Sequence, residues 1–543
     1  MTSKLSLTGK KWIIPEVLET NGEDLVKKLM ANRGIDSSLE GELPDAFAFH
    51  DMQKAVDRIR SAIKSNESIG IFGDYDCDGV TSTLQLIRFF RRNSVEPHVR
   101  LPHRINDGYG LKSHIIDEFI SKGTNLLITV DSGVGSVTEI KKAKDAGMDV
   151  IVTDHHHVGK HIPPAVAIIH PDFSDIPPPH PSGSGVVYHL LRALEDGVWD
   201  DMQTDEALAM LGMIADVMEL KGFNRTLVKQ GLNSIKKLTK GPLVELIRIS
   251  GININYITST DIGFRIAPRI NAAGRMGDPM IALEALMDGG DAIKLIDNLN
   301  EIRQKQTEEF LNIAIEEISK APSGPLLSIM HADFPQGIVG LIAGKLTEMT
   351  GKPSLVGREH DGMCTASLRS PRCYHITEGL ERCSDLLQYF GGHAQAAGCS
   401  FRSDLFDQVS TRLAEDVSGN TEPDDLLPSI EIDATLPAES ITLELIYKLR
   451  TLEPFGHGNR EPVFLIQGAQ MEYQKQVGSE CNHLQTNIDG VKSIGFRLGH
   501  LIEHTNEPVD VVCRLGTDNW NGLTRPQIFV EDFRLSISVE NRI

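Results

Sequence analysis

The chain has 543 residues, 40% of them apolar, which is more than one ordinary core can hold, so several domains are expected, each with its own interior. A net charge of -21 argues against a protein that coats itself with nucleic acid, because phosphate binding leaves a basic footprint unless the cations are confined to one groove. The opening MTSKLSLTGKKWIIPEVLE has no apolar run of signal-peptide length, and no later stretch approaches the roughly 20 apolar residues of a membrane helix, so no membrane contact and a cytoplasmic location are expected.

Residues 1–46 read as an N-terminal extension. From Phe47 to Ile169 short apolar runs alternate with amphipathic segments, the pattern of βαβ units on a parallel sheet. Ser68 to Phe72 leads into GDYDCDG, Leu126 to Val130 into DSGVG, and Asp149 to Thr153 into DHHH. Ligands of open parallel sheets sit beyond the carboxyl ends of the strands, and all three runs lead into Asp or His there. After the proline-rich loop 176–181 the pattern turns helical from Gly185 to Asn300, an insertion that completes a first α/β domain over 47–300. Glu206 to Leu220 reads as one helix with Asp216 inside it. Ile281 to Lys320 reads as helical throughout, with 301–322 as a connecting helix closed by the Gly and Pro of 321–325. A second, smaller α/β domain is expected over 323–418, followed by a polar linker, Ser418 to Asp425. Short strands such as Pro462 to Gln467 and Val509 to Arg514 suggest a small β-barrel within 419–543. The cysteines (Cys77, Cys364, Cys373, Cys383, Cys399, Cys481, Cys513) form no C-x-x-C pair, so neither a zinc ribbon nor a disulfide framework is expected.

Asp74, Asp76 and Asp78 stand at i, i+2 and i+4 of a glycine-bounded turn. Buried carboxylates are costly unless water, counter-charge or metal compensates them, and metal is the simplest answer for three. An EF-hand calcium loop matches Asp74, Asp76, Asp78 and Gly79 but fails at its last ligand, where Gln85 replaces the bidentate Glu, and this turn follows a strand. Capping a helix that begins near Val80 explains one Asp. It does not explain three together with Asp131 and Asp154 at neighbouring strand ends, since like charges at one sheet edge repel unless cations intervene. With the imidazoles of His155 and His156 the set suits manganese or magnesium, and two ions better than one. His157 gains nothing from this argument. No Gly-x-Ser-x-Gly elbow or Walker A loop competes for the chemistry.

The DYDCDG, VDSG and DHH motifs, followed by Gly212-Met213-Ile214-Ala215-Asp216, closely resemble the DHH phosphoesterase superfamily and, within it, the RecJ single-strand-specific exonucleases, over nearly the whole chain. The resemblance implies two divalent ions, Mn2+ or Mg2+, held by Asp74, Asp76, Asp78, Asp131, His155 and Asp216, with Asp131 as the bridge. It implies that His156 contacts the scissile phosphate, so that Asp131, His155 and His156 form the catalytic set, and it leaves Asp154 to orient its neighbours. Some superfamily members carry a His four residues before the Asp76 equivalent, where this chain has Phe72, so Asp74 stands as a substitute ligand.

Taken singly, Arg104, Arg275 and Arg369 read as surface or ion-pair residues. The resemblance places them, with Ser367, on the nucleotide and its 5′ phosphate. Gly391 to Gly398 is similar to the signature of the accessory DHHA1 domain and implies substrate contact by His393. Leu452 to Pro462 resembles the entry to an OB-like oligonucleotide-binding barrel, whereas Phe334 to Gly340 departs from the family's His-Pro-Gly wording and carries no residue over. The implied activity is 5′-to-3′ exonuclease action on single-stranded DNA, releasing mononucleotides in repair and recombination. Single-strand-binding protein and a helicase are implied partners, and a monomer is expected. The alternative is a phosphodiesterase for short oligonucleotides, cyclic dinucleotides or RNA ends, against which the helical insertion and extra barrel argue. A silent scaffold on the same fold would have eroded ligands, and none is lost.

Overall fold

The structure, a computed structural model, describes residues 5–14, 25–33, 41–104, 106–108, 110–320, 324–520 and 523–536. Strands β1 (Ile69–Phe72), β2 (His98–Arg100), β3 (Leu126–Val130), β4 (Asp149–Thr153) and β5 (Ala167–Ile169) run parallel in the order β2-β1-β3-β4-β5. Side chains alternate across a strand, so Ile69, Ile71, Leu126, Ile128, Val130 and Ile151 enter one core. The helices on that face are Met52–Lys64, α1 (Cys77–Arg92), α2 (Gly183–Leu194) and α3 (Met202–Ala215). Phe72, Leu127, Val150 and Val152 enter the opposite core with helices Ser113–Ser121 and Val137–Asp145. Helices on both faces leave the carboxyl edge of the sheet as the open place for a ligand.

The helix expected over Glu206 to Leu220 stops at Ala215, and Asp216 is its C-cap rather than an interior residue, because Val217 turns into the left-handed region at φ 57°. The helix expected from Ile281 to Lys320 is two, Met280–Asp288 and a longer one after α4 (Ala267–Met276), namely α5 (Asp291–Ser319). Gly289 and Gly290, at φ 73° and 64°, break it, so the connecting helix begins at Asp291 rather than 301.

Beyond α5 a second sheet carries β6 (Met363–Arg369) between strands Ser354–His360 and Ala396–Arg402, with Leu327–His331 parallel at one edge and Tyr389–Gly392 at the other. Helix α6 (Val339–Thr350) packs across β6. The expected linker is largely ordered secondary structure: a helix runs on to Asn420 and a short turn spans Pro423–Leu426. The C-terminal unit is a seven-stranded, mostly antiparallel sheet with Ala434–Thr435 and Met471–Val477 at its ends. Those ends are not paired with each other among the described residues, so the barrel is a partly open one.

Residues 1–46 are not a free extension where they are described. Leu25 and Leu29 lie in the core of the C-terminal unit, Lys11–Ile13 pairs in parallel with Ser429–Glu431, and Ala46 belongs to the first core. The segment that resembles a barrel entry brackets the two units. Arg225, fully buried, donates to the carbonyls of Glu453 and Pro454 at 2.5 and 3.2 Å, and Leu220 N donates to the His457 carbonyl at 2.8 Å. No helix among the described residues is long and apolar enough to cross a membrane.

Candidate metal centre

Pairing of Phe72 with Thr129 and of Val130 with Thr153 brings the ends of β1, β3 and β4 to one edge. In the turn after β1, the Asp76 carboxylate caps α1, accepting from Asp78 N at 3.0 Å and Gly79 N at 3.1 Å. Asn271 on α4 holds the turn from the other side, its Oδ1 accepting from Cys77 N at 2.8 Å. Asp78 gives one carboxylate oxygen to Ser182 Oγ (2.8 Å) and Ser184 N (3.0 Å) at the start of α2. Asp131, just past β3, adopts a left-handed φ of 54°. Gly183 comes so near that a Cβ there would lie 2.5 Å from Asp131 Cβ.

His155 Nε2 then lies 3.1 Å from Asp131 Oδ1, 3.5 Å from Asp216 Oδ2 and 3.8 Å from Asp78 Oδ2. Asp78 Oδ2, Asp131 Oδ1 and His155 Nε2 are buried without a hydrogen-bond partner among the described residues. Buried polar atoms are almost always satisfied, so three such atoms converging on one space fit a cation between them. Ligand atoms lie within 4.8 Å of one another in three overlapping sets: Asp131, His155 and His156; Asp78, His155 and Asp216; and Asp74, Asp76 and Asp131. Sets that share Asp131 and His155 suit two neighbouring ions, and carboxylate oxygens with imidazole nitrogen suit manganese or magnesium.

Burial and then mutual repulsion, chiefly from Asp78, push Asp131 and Asp216 well above the carboxylate range, and burial with Asp76 raises Asp74 to about 7. Burial, reinforced by His156, lowers His155 to about 4, leaving the neutral imidazole a metal requires. Asp154 is fully engaged. Its Oδ1 accepts from His155 N, His156 N and His156 Nδ1 at 2.8, 3.1 and 2.8 Å, and its Oδ2 from Val134 N at 2.8 Å. Burial opposes its ionisation, but His156 and these donors hold it well below the usual carboxylate range. Burial likewise opposes a charge on His156, and Asp154 more than reverses it, raising His156 to about 9.

The Arg104 guanidinium lies 4.1 Å over the Tyr75 ring. Arg275, in the last turn of α4, donates to the Gly337 carbonyl at 3.2 Å, and burial with Arg104, Arg303 and Arg369 lowers it to about 9. Among the described residues, hydrogen bonds from Arg275, Arg303 and Arg369 go to the Gly337 carbonyl, Asn300 Oδ1 and the Leu368 carbonyl, none to a carboxylate. Ser367 and Arg369 share one face of β6, and a Cβ on Gly340 at the start of α6 would lie 3.3 Å from Ser367 Oγ and 3.2 Å from Arg369 Nη2. The acidic and histidine residues named from the sequence thus converge, as do Arg104, Arg275 and Arg369. His393 is exposed in the turn after Tyr389–Gly392, and among the described residues no hydrogen bond or ion pair joins its ring to either set.

Sequence reasoning missed Ser182, Ser184, Asn271, Arg303, Gly337 and Gly340. The small-residue run Ser182-Gly183-Ser184-Gly185 opening a helix was an available signal, since it lets a backbone approach closely. Arg303 sits in a polar helix that offered none.

Family models match in three places: the DHH family N-terminal domain over residues 68–216, the DHHA1 domain over 323–419 and the RecJ OB domain over 432–532. The single-stranded-DNA-specific exonuclease RecJ of Bacillus subtilis (strain 168) is 33% identical over 537 residues, covering 94% of this chain and 68% of that protein. Its counterpart from Salmonella typhimurium is 31% identical over 555 residues, covering 94% and 95%. The chain belongs to the RecJ family. Among solved structures, RecJ from Thermus thermophilus in complex with Mn2+ superposes with a TM-score of 0.84 at 27% identity, covering 98% of this chain and 80% of that one. A Mg2+ complex of RecJ from the same organism gives 0.77 at 26% identity, covering 98% and 79%.

Proposed function

We propose that the chain hydrolyses single-stranded DNA from its 5′ end and releases mononucleotides. The observation that carries this reading is the convergence of Asp78 Oδ2, Asp131 Oδ1 and His155 Nε2, buried and without hydrogen-bond partners, beside a cluster of guanidiniums. Asp74, Asp76, Asp78, Asp131, His155 and Asp216 would hold two divalent cations, Mn2+ or Mg2+. Such a pair, when bound, lowers the pKa of a water and polarises a phosphoryl oxygen. Ser182 and Ser184 fix the Asp78 carboxylate, and Asp154 holds His156 as a cation facing the scissile phosphate. Arg104, Arg275, Ser367 and Arg369 grip the terminal phosphate, where guanidinium forks and a hydroxyl match its oxygens, and His393 touches the strand. A phosphate end held at a fixed distance from the metal centre presents one bond at a time, which sets both polarity and product size.

Delivery of the strand by a single-strand-binding protein and a helicase, with the chain acting as a monomer in the cytoplasm, completes the proposal. Strands of DNA and RNA labelled at either end, incubated with magnesium or manganese, test it. Release of the 5′ label as a mononucleotide from long DNA is expected. Earlier loss of the 3′ label, or turnover confined to fragments of a few nucleotides, overturns it.

A further inference from the structure

We propose that Phe264 is a base-stacking platform at the mouth of the metal centre, an inference that rests on the exonuclease reading and deepens it. The centre opens on one side. Asp74, Asp78 and Asp131 are 4% exposed or less, whereas the side chains of Asp216 and His156 are 29% and 30% exposed. Directly after Asp216, Val217 is held at φ 57° with 62% of its surface in water. A β-branched residue in that region is strained, and such strain persists where the surroundings over-determine it, which is most often at a functional site.

The neighbouring element is a π-helical turn, Ile262–Ile266. It packs on the helix that delivers Asp216, since a Cβ on Gly263 would meet Ile214 Cγ2 at 3.5 Å. Ile262 and Ile266 are buried, and Phe264 is 80% exposed between them. Such turns are rare and recur at functional sites. The same element runs on into α4, where Asn271 holds the aspartate turn and Arg275 joins the guanidiniums. Phe264 stands about two helical turns before Asn271 on this continuous element, roughly 10 Å along the axis.

A lone exposed ring would need no explanation. Here the exposed ring stands on the element that packs against the helix ending at Asp216, next to which Val217 is strained and exposed, and a strand whose phosphates are held by guanidiniums turns its apolar base faces elsewhere. Stacking on an aromatic ring accepts any base, as degradation of arbitrary sequence requires.

The test measures binding of a 5′-phosphorylated, phosphorothioate-linked oligodeoxynucleotide by fluorescence anisotropy. Phe264→Ala removes an exposed side chain, and circular dichroism confirms that the fold is kept. Binding should weaken roughly 5- to 150-fold, while Phe264→Trp retains it. A single abasic nucleotide is then walked along the first positions of the strand. On the wild type one position should show the same loss, and on Phe264→Ala that position should cost nothing further. Undiminished binding by Phe264→Ala, or equal abasic penalties in both proteins at every position, overturns the platform. A wild-type chain that degrades no single strand defeats the exonuclease reading instead.

Discussion

Gly183→Ala probes how closely the start of α2 must approach the metal centre. The added Cβ would lie 2.5 Å from Asp131 Cβ and 2.7 Å from Asp131 Oδ1. Carbon atoms settle at about 3.5–4.0 Å, so α2 and Asp131 must part by about 1 Å. Overpacking of this kind costs about 1–3 kcal/mol of stability. Function should suffer more. A displacement near 1 Å at a reacting group costs on the order of 100-fold in rate, and the same shift moves Ser184 N and Ser182 Oγ off Asp78. Mononucleotide release from a labelled strand, manganese titration and a thermal melt measure the three effects separately. A variant with wild-type rate and wild-type manganese affinity would refute the close-approach argument, whatever its melting temperature.

Asp131→Ala should abolish hydrolysis while the metal-free chain still folds; activity assays and circular dichroism in EDTA check both halves. Stability of the metal-free protein should fall as pH rises. Asp74 keeps its proton up to about 7 in the native state, so from about pH 4 to 7 the unfolded chain has lost a proton that the native chain still holds. Asp131 and Asp216, also raised, act in the same direction and outnumber His155, whose lowering to about 4 opposes them below about pH 6.5; denaturant titrations in EDTA across that window would contradict the reasoning if stability rose. Manganese should flatten the trend. Arg275→Met should weaken strand binding at low salt and reduce the slope of log affinity against log salt by about 0.7, the value for one phosphate contact on a single strand.

What was legible followed from local pattern. Apolar runs that end in aspartate or histidine showed strands and their carboxyl edge, and the charge problem at that edge called for cations before any side chain was placed. What stayed hidden depended on the backbone leaving a pattern that the side chains continue. Val217, Met218 and Leu220 prolong the apolar rhythm of α3, yet the chain turns at Val217 and buries Leu220 beside the bracket loop. Gly289 and Gly290, both at positive φ, break a helical periodicity that continues on either side of them. Leu25 and Leu29 dock on strands more than four hundred residues away, which no local signal reports.

The net charge of -21 and a phosphate ligand are reconciled by position rather than by sum. The centre is two half-sites of opposite sign that meet at the Arg104–Tyr75 stack. On one side burial and then neighbouring carboxylates raise the proton affinity of Asp131, and on the other burial and then Arg104, Arg303 and Arg369 lower that of Arg275 to about 9. Each half carries repulsion among its own charges that a ligand of opposite charge would relieve, cations for the first and a phosphate for the second. Composition adds the two halves together and loses both. On the proposed reading, this arrangement would let a single strand end satisfy the guanidiniums while its first phosphodiester reaches the carboxylate side.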